Sequence, residues 1–285
     1  WSVLQSTTGG GNTALGSATL YSNTTGFGNV AVGQSSLQSN VSGSNNVGLG
    51  SLALYANGGS NNAAVGYQAL RYNTTGDYNV GLGSGAGWGI TTGTNNFVSG
   101  QQSMQNSAGG ASYNTAIGYG AAINLTGNNN VALGQYSLAF GNNNNVGVGF
   151  SAGRQVTGSN NSFLGTSAGY QDANGVISTV AALQNATAIG AYAQVSQSNS
   201  LVLGSVDQAT KVGIGITSPQ NFLSASPVSL NSSVTVTMSG NVVTAASAVF
   251  SASNVGESMV FADNGEVTYI DGYIDSTHVH VYSGN

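Results

Sequence analysis

Cysteine is absent, proline occurs twice, and Lys and Arg together number 3 in 285 residues. Each scarcity removes a class of protein. Without thiols, neither disulfides nor thiolate metal sites can contribute. Arg71, Arg154 and Lys211 stand against 8 acids, a net charge of −5, so nothing is available to neutralise phosphates and nucleic acid is not an expected partner. No apolar run approaches the roughly 18 to 20 residues that cross a bilayer, so no membrane insertion is expected. The segment from Trp1 has neither the charged start nor the apolar stretch of a secretory signal. Charged residues make up only 4% and Gly numbers 44, so helix formers are scarce and the chain reads as all-β.

What the chain does contain is a five-residue phrase: Asn, a middling residue, a small residue, a large aliphatic and Gly. Its 13 copies close at Gly16, Gly33, Gly50, Gly66, Gly83, Gly100, Gly118, Gly134, Gly149, Gly165, Gly190, Gly204 and Gly215. The usual step is 15 to 18 residues, with one of 25 before Gly190. Such a period belongs to a stacked solenoid. The repeat domain is expected over 1–219, with an insertion at 166–186, a linker at 220–227 around Pro219 and Pro227, and a small antiparallel β domain over 228–285. At about 4.8 Å per stacked strand the rod would be about 60 Å long.

The slots suggest a geometry. The residue before each glycine (Leu15, Val32, Leu49, Val65, Leu82 and onward, with Ser99 the exception) is expected to face a core. Side chains alternate along a strand, so its neighbour (Ala14, Ala31, Gly48, Ala64, Gly81, Ala116) is expected to face outward. A consistently small outer face suggests another backbone packed against it. Phe163 and Val202 put bulk on that face; with the long step they mark either a change of packing or a surface excursion. Asn fills the first slot at Asn12, Asn29, Asn46, Asn62, Asn79, Asn96, Asn114, Asn130, Asn145 and Asn161, with Ala186, Ser200 and Lys211 as exceptions. One Asn per coil reads as left-handed turn chemistry with a hydrogen-bonded ladder between coils, or as a polar stripe. A second short strand is expected after each glycine, as at Ala18-Thr19-Leu20, followed by a polar loop such as Ser22-Asn23-Thr24-Thr25-Gly26.

The units Asn29-Val30-Ala31-Val32-Gly33, Asn114-Thr115-Ala116-Ile117-Gly118 and Asn130-Val131-Ala132-Leu133-Gly134 resemble the head repeats of trimeric autotransporter adhesins. Longer coils such as Asn12 through Gly26, and the closing Lys211-Val212-Gly213-Ile214-Gly215, are similar to repeats in bacteriophage tail fibres. The resemblance covers residues 12 to 219. It implies a trimeric left-handed parallel β-roll, a β-solenoid in which three chains pack side by side. The repeat pairs Asn12 with Gly16, Asn29 with Gly33, Asn46 with Gly50, Asn62 with Gly66, Asn79 with Gly83, Asn114 with Gly118, Asn130 with Gly134 and Asn145 with Gly149 would be its structural residues.

After Pro227 the pattern changes. Val236 and Met238 alternate with threonines, Val242-Val243 and Ala248-Val249-Phe250 follow, and Met259-Val260-Phe261 faces Val267-Thr268-Tyr269-Ile270 across Asp263-Asn264-Gly265, a hairpin signal. Chemistry finds little material. Glu257, Asp263, Glu266, Asp271 and Asp275 cluster there, the last two read as turn residues between Ile270 and Val279, and no second carboxylate across a cleft is evident. A nucleophilic triad needs an oriented His, and both histidines lie near the C-terminus. His278 and His280 are alternate residues: on a three-fold axis their copies would offer six nitrogens to a transition metal, otherwise they are two solvent-facing imidazoles. No cofactor is implied and no enzyme is expected. Sequons at Asn23, Asn73 and Asn124 make glycosylation an option only.

The expected function is structural and adhesive: a homotrimeric fibre segment presenting a receptor-binding surface to a cell-surface glycan or protein. The expected location is extracellular, on a virion tail fibre or otherwise a bacterial cell surface. Tyr72, Tyr78, Tyr113, Tyr136 and Tyr170 offer faces for sugar stacking. A monomeric ice-binding solenoid would need Thr at one slot of nearly every coil, and Thr24-Thr25, Thr74-Thr75 and Thr91-Thr92 recur only in a few. A depolymerase would have only the acids of 257 to 275.

Overall fold

The computed structural model describes residues 8–107, 109–170 and 182–205, and the strand backbones of five later segments. The chain divides into two units, Trp1–Thr210 and Lys211–Asn285. In the first, each Asn-to-Gly phrase supplies one three-residue strand: β1 (Thr13–Leu15), β2 (Val30–Val32), β3 (Val47–Leu49), β4 (Ala63–Val65), β5 (Val80–Leu82), β6 (Phe97–Ser99), β7 (Thr115–Ile117), β8 (Val131–Leu133), β9 (Val146–Val148), β10 (Ser162–Leu164), β11 (Thr187–Ile189) and β12 (Leu201–Leu203). These stack in chain order as one 12-stranded parallel sheet. The structure is a parallel β-solenoid, with no helix among the described residues. The thirteenth phrase, ending at Gly215, lies outside the described residues.

The two faces of the sheet are the reverse of the alternation argument. Ala31, Ala64, Val98, Ala116, Ala132, Phe163 and Ala188, each in the middle of its strand, are fully buried inside the coil. The aliphatic before the glycine points out: Leu15 is 67% exposed, Ile117 41% and Leu203 45%. Volume decides the matter. A 16-residue coil is too thin for large side chains from both walls, and the opposite wall already supplies Leu20, Leu37, Leu54, Leu70, Met104 and Leu138, all fully buried. A Cβ on Gly81 would lie 2.8 Å from the Leu70 side chain, and one on Gly147 would lie 2.7 Å from Leu138. The small slot makes room for these leucines; no neighbouring molecule is needed to explain it.

That opposite wall is not a strand. Two residues and four residues beyond each repeat glycine from Gly16 to Gly165 the backbone turns left-handed, for example at Ala18 (φ 55) and Leu20 (φ 50), Leu52 (φ 60) and Leu54 (φ 50), Tyr136 (φ 55) and Leu138 (φ 44). Left-handed backbone costs an L-residue about 1–2 kcal/mol, and branching at Cβ makes it worse. The slots accordingly hold Leu, Met, Ala, Ser, Gln, Tyr or Gly and never Val, Ile or Thr. The cost is offset by coil-to-coil bonds, such as Leu37 N–H to Ala53 O (3.0 Å) and Leu54 N–H to Ala69 O (3.0 Å), and by burial of the leucine, about 1.5–3 kcal/mol each.

One large aliphatic per coil comes from either of two places. Four residues beyond the glycine stand Leu20, Leu37, Leu54 and Leu70, and seven beyond stand Asn23, Asn40, Asn57 and Asn73. Where the first place shrinks to Gly87, Ala122 or Gly153, the second becomes Ile90, Leu125 or Val156, all buried. Phe163 follows the same rule. Its ring fills the space over two glycines: a Cβ on Gly153 would come 2.5 Å from it and one on Gly169 2.2 Å. Phe163 therefore packs inside its own solenoid, and β10 pairs β11 in register, Ser162 with Thr187 and Phe163 with Ala188. Residues 166–170 repeat the ordinary turn, with Gly169 N–H bonded to Ala193 O, so the extra length begins beyond Tyr170.

Close backbone approach occurs at the repeat glycine itself. At Gly66, φ is +131 and a Cβ would meet the Gly83 carbonyl carbon at 2.7 Å. Both conditions exclude any other residue.

In the second unit, β13 (Val236–Ser239), β14 (Val242–Ala245), β15 (Ser258–Val260), β16 (Val267–Asp275) and β17 (His278–Tyr282) pair antiparallel in the order β13-β14-β17-β16-β15. Residues 248–250 and the Asp263-Asn264-Gly265 turn lie outside the described residues.

Candidate functional site

Three features of the solenoid could bear function: its polar ladders, its exposed sheet face and its aromatic edge. The main ladder is continuous. Asn29 N–H donates to Asn12 Oδ1, Asn46 N–H to Asn29 Oδ1, and so on through Asn62, Asn79, Asn96, Asn114, Asn130, Asn145 and Asn161 to Ala186 N–H, at 2.8–3.1 Å. Nδ2 meanwhile closes the coil, as Asn46 does to Gly59 O (2.9 Å) and Asn79 to Gly93 O (2.8 Å); only Asn130 differs, donating to Asn128 O (3.0 Å). Only Asn has an acceptor and a donor at this reach. Asp lacks the donor, Ser lacks the second group, and Gln is one methylene too long. Ala186 N–H donates the last bond, to Asn161 Oδ1, but its methyl side chain offers no acceptor to the next coil, so the exceptions Ala186 and Ser200 fall where the ladder ends.

The ladder asparagines from Asn29 to Asn161 are buried and Asn12 is half-buried, so they form no exposed binding stripe, and they are not the left-handed corner. That corner is one residue earlier, at Gly28, Asn45, Asn61, Tyr78, Asn95, Tyr113, Asn129, Asn144 and Asn160. A second ladder went unread in the sequence: Asn40 Nδ2 to Asn23 Oδ1 (3.0 Å), Asn57 to Asn40 (3.0 Å) and Asn73 to Asn57 (2.8 Å). Its signal was available in the shared spacing from each glycine. Because Asn23 and Asn73 are buried and bonded through Nδ2, two of the three sequons noted above are closed to glycosylation in the folded chain. A third ladder carries backbone N–H groups on side-chain oxygens: Phe27 to Ser44, Ser44 to Ser60, Ser60 to Asp77, Thr94 to Ser112 and Ser112 to Asn128.

The outward sheet face is apolar. Leu15, Val65, Ile117, Leu164, Ile189 and Leu203 are exposed in the single chain, and Val32, Leu49, Leu82, Leu133 and Val148 are half-buried. Only Ser99 interrupts the column.

The tyrosines do not form one surface. Tyr78 and Tyr113 are 59% and 60% exposed, whereas Tyr170 is buried. Tyr72 meets Trp88 edge-on at 4.8 Å and lies 5.1 Å from the Arg71 guanidinium, which also lies 5.7 Å from Tyr55. Tyr136 meets Tyr119 at 5.3 Å, and Arg154 sits 4.6 Å from Tyr136 and 5.4 Å from Tyr170. The hydrogen-bonded Tyr119 hydroxyl, and after it loss of hydration, hold the Tyr136 phenol above its ordinary value against the opposing pull of Arg154.

His278 and His280 lie two residues apart on β17, His278 opposite Thr244 and Asp275, and His280 opposite Val242 and Gly272. Asp271 and Asp275 are strand residues of β16, with Asp271 at a register irregularity between Ile270 and Gly272, so neither belongs to a turn. Among the described residues no group of three or more His, Cys, Asp or Glu could hold a metal, and no helix is long and apolar enough to cross a membrane. The fold and the ladders define the chain as a repeat-built parallel β-solenoid. Compared with known protein families, curated proteins and solved structures, it matches none.

Proposed function

We propose that this chain is the shaft of a homotrimeric adhesive fibre, three left-handed solenoids packed about an axis parallel to their stacking direction, with residues 228–285 forming a separate small antiparallel domain. The observation that carries the reading is the apolar sheet face. A column of Leu, Val and Ile on 11 of 12 rungs, exposed or half-buried in the single chain, is costly in water unless covered. A covering surface must repeat at the same spacing, about 4.8 Å over every rung, and a second copy of this chain does so by construction. Closed rotation buries each face with no free edge, where an open arrangement would aggregate.

The assembly would be mechanical and multivalent. Three parallel sheets with buried ladders resist unfolding, and three copies of each exposed loop bind a cell-surface glycan or protein with avidity beyond one contact. Scarcity of charge and of trypsin sites suits an extracellular fibre, and the repeat's likeness to tail-fibre coils favours a virion over a cell surface. The test is a pair of substitutions on the exposed face, Val65→Asp with Ile117→Asp. The proposal expects the doubly substituted chain to become monomeric, to keep its β signature and to lose adhesion to bacterial cells; an unchanged assembly would contradict it.

A further inference from the structure

We infer that the arginine–aromatic clusters on one edge of the solenoid are binding sites for sugars bearing a carboxylate. The inference deepens the adhesive reading and rests on it. Arg71 and Arg154 are the only cations among the described residues of the first unit, and both lie five residues beyond their repeat glycine, Gly66 and Gly149. They therefore share one edge, five coils apart, about 24 Å at the spacing of stacked strands.

Each guanidinium lies among rings from its own or adjacent coils: Tyr55, Tyr72 and beyond it Trp88 in the first cluster, Tyr136 and Tyr170 in the second. Among the described residues no acid neutralises either of them. Asp77 is the only acid among the described residues of the first unit, and its carboxylate accepts the Ser60 N–H in a ladder on another part of the coil. Arg71 Nε is buried with no hydrogen-bond partner, so the rings hold this guanidinium in place without satisfying it. In a chain with charged residues at 4%, placing both bases in the same slot among flat rings is a specific arrangement. Arg presents a fork that matches a carboxylate in two parallel bonds, and tyrosine and tryptophan faces stack on the C–H face of a pyranose. A repeating acidic polysaccharide could occupy both clusters of one chain, which makes the second contact intramolecular.

The experiment is calorimetric titration of the full chain with trigalacturonic acid, with polygalacturonate, and with maltotriose as the neutral control, together with a bacterial adhesion assay. The expected result is binding of both acidic probes, the polymer at least tenfold tighter, and none of maltotriose. Arg71→Gln and Arg154→Gln should each weaken polymer binding at least tenfold with the unfolding midpoint unchanged, while Tyr113→Ala, an exposed ring outside both clusters, should not. Failure of the acidic probes to bind, or binding that both arginine variants retain, overturns the inference. Adhesion to cells that survives in the double arginine variant would then leave the adhesive reading standing, and its absence in the wild-type chain would remove both.

Discussion

Replacing Asn79 by Ala tests the ladder where every bond around it is defined. Asn79 is fully buried; its N–H donates to Asn62 Oδ1, its Nδ2 donates to Gly93 O, and its Oδ1 accepts the Asn96 N–H at 3.1 Å and Asn96 Nδ2 at 2.9 Å. After truncation Asn62 keeps its partner and Asn96 Nδ2 keeps Ala111 O, so two close bonds are orphaned, at the Asn96 N–H and the Gly93 carbonyl, and the longer one from Asn79 Nδ2 to Asn73 Oδ1 (3.4 Å) is lost with them. Each buried orphan costs about 1–3 kcal/mol, which places the loss at about 2–6 kcal/mol. Urea unfolding followed by far-UV circular dichroism at fixed protein concentration measures it, and amide exchange at Asn96 localises it. Asn144→Gly is the control, since Asn144 is exposed and left-handed (φ 58), and its change should stay within about 0.5 kcal/mol. A loss for Asn79→Ala no larger than the control's, with Asn96 protection intact, would refute the claim that the ladder holds the coils.

Leu54, at φ 50 and fully buried, should tolerate Met within about 1.5 kcal/mol but lose more than that with Ile, which matches its volume and branches at Cβ; thermal unfolding distinguishes the two. Phe163→Ala should cost about 3–5 kcal/mol through the cavity it opens. Gly169→Ala should also destabilise, because its new methyl would meet the Phe163 ring, and the double variant should be less damaged than the sum of the two, as a double-mutant cycle in urea would show. Gly66→Ala should prevent folding of the central coils, since φ +131 and a Cβ contact of 2.7 Å with Gly83 backbone coincide there; loss of the β signature checks it.

The parallel solenoid was legible in the spacing of the glycines alone, because a glycine needed for both left-handed backbone and close stacking cannot drift. The ladder was legible in outline from Asn12 to Asn161. Which face was inside was not, for a physical reason. Alternation says that Ala64 and Val65 point opposite ways, and hydrophobicity then places Val65 inward, but the interior volume of a thin coil reverses that preference once Leu54 and Leu70 come from the other wall. The sign of that wall in the sequence is the exchange between Leu70 with Asn73 and Gly87 with Ile90, visible only when coils are aligned at both places together. The left-handed turns at Ala18 and Leu20 read as a strand because small and apolar residues alternate in both. The arginine clusters could be found only in three dimensions, since Tyr55, Arg71 and Trp88 lie 16 or 17 residues apart.

The mass of the full chain in dilute buffer, by multi-angle scattering or native mass spectrometry, bears most directly on the exposed apolar column. Three protomers of 28.3 kDa predict a single species of roughly 85 kDa that persists on dilution. A folded, soluble species of 28.3 kDa, leaving Leu15, Ile117 and Leu203 in water, would contradict it.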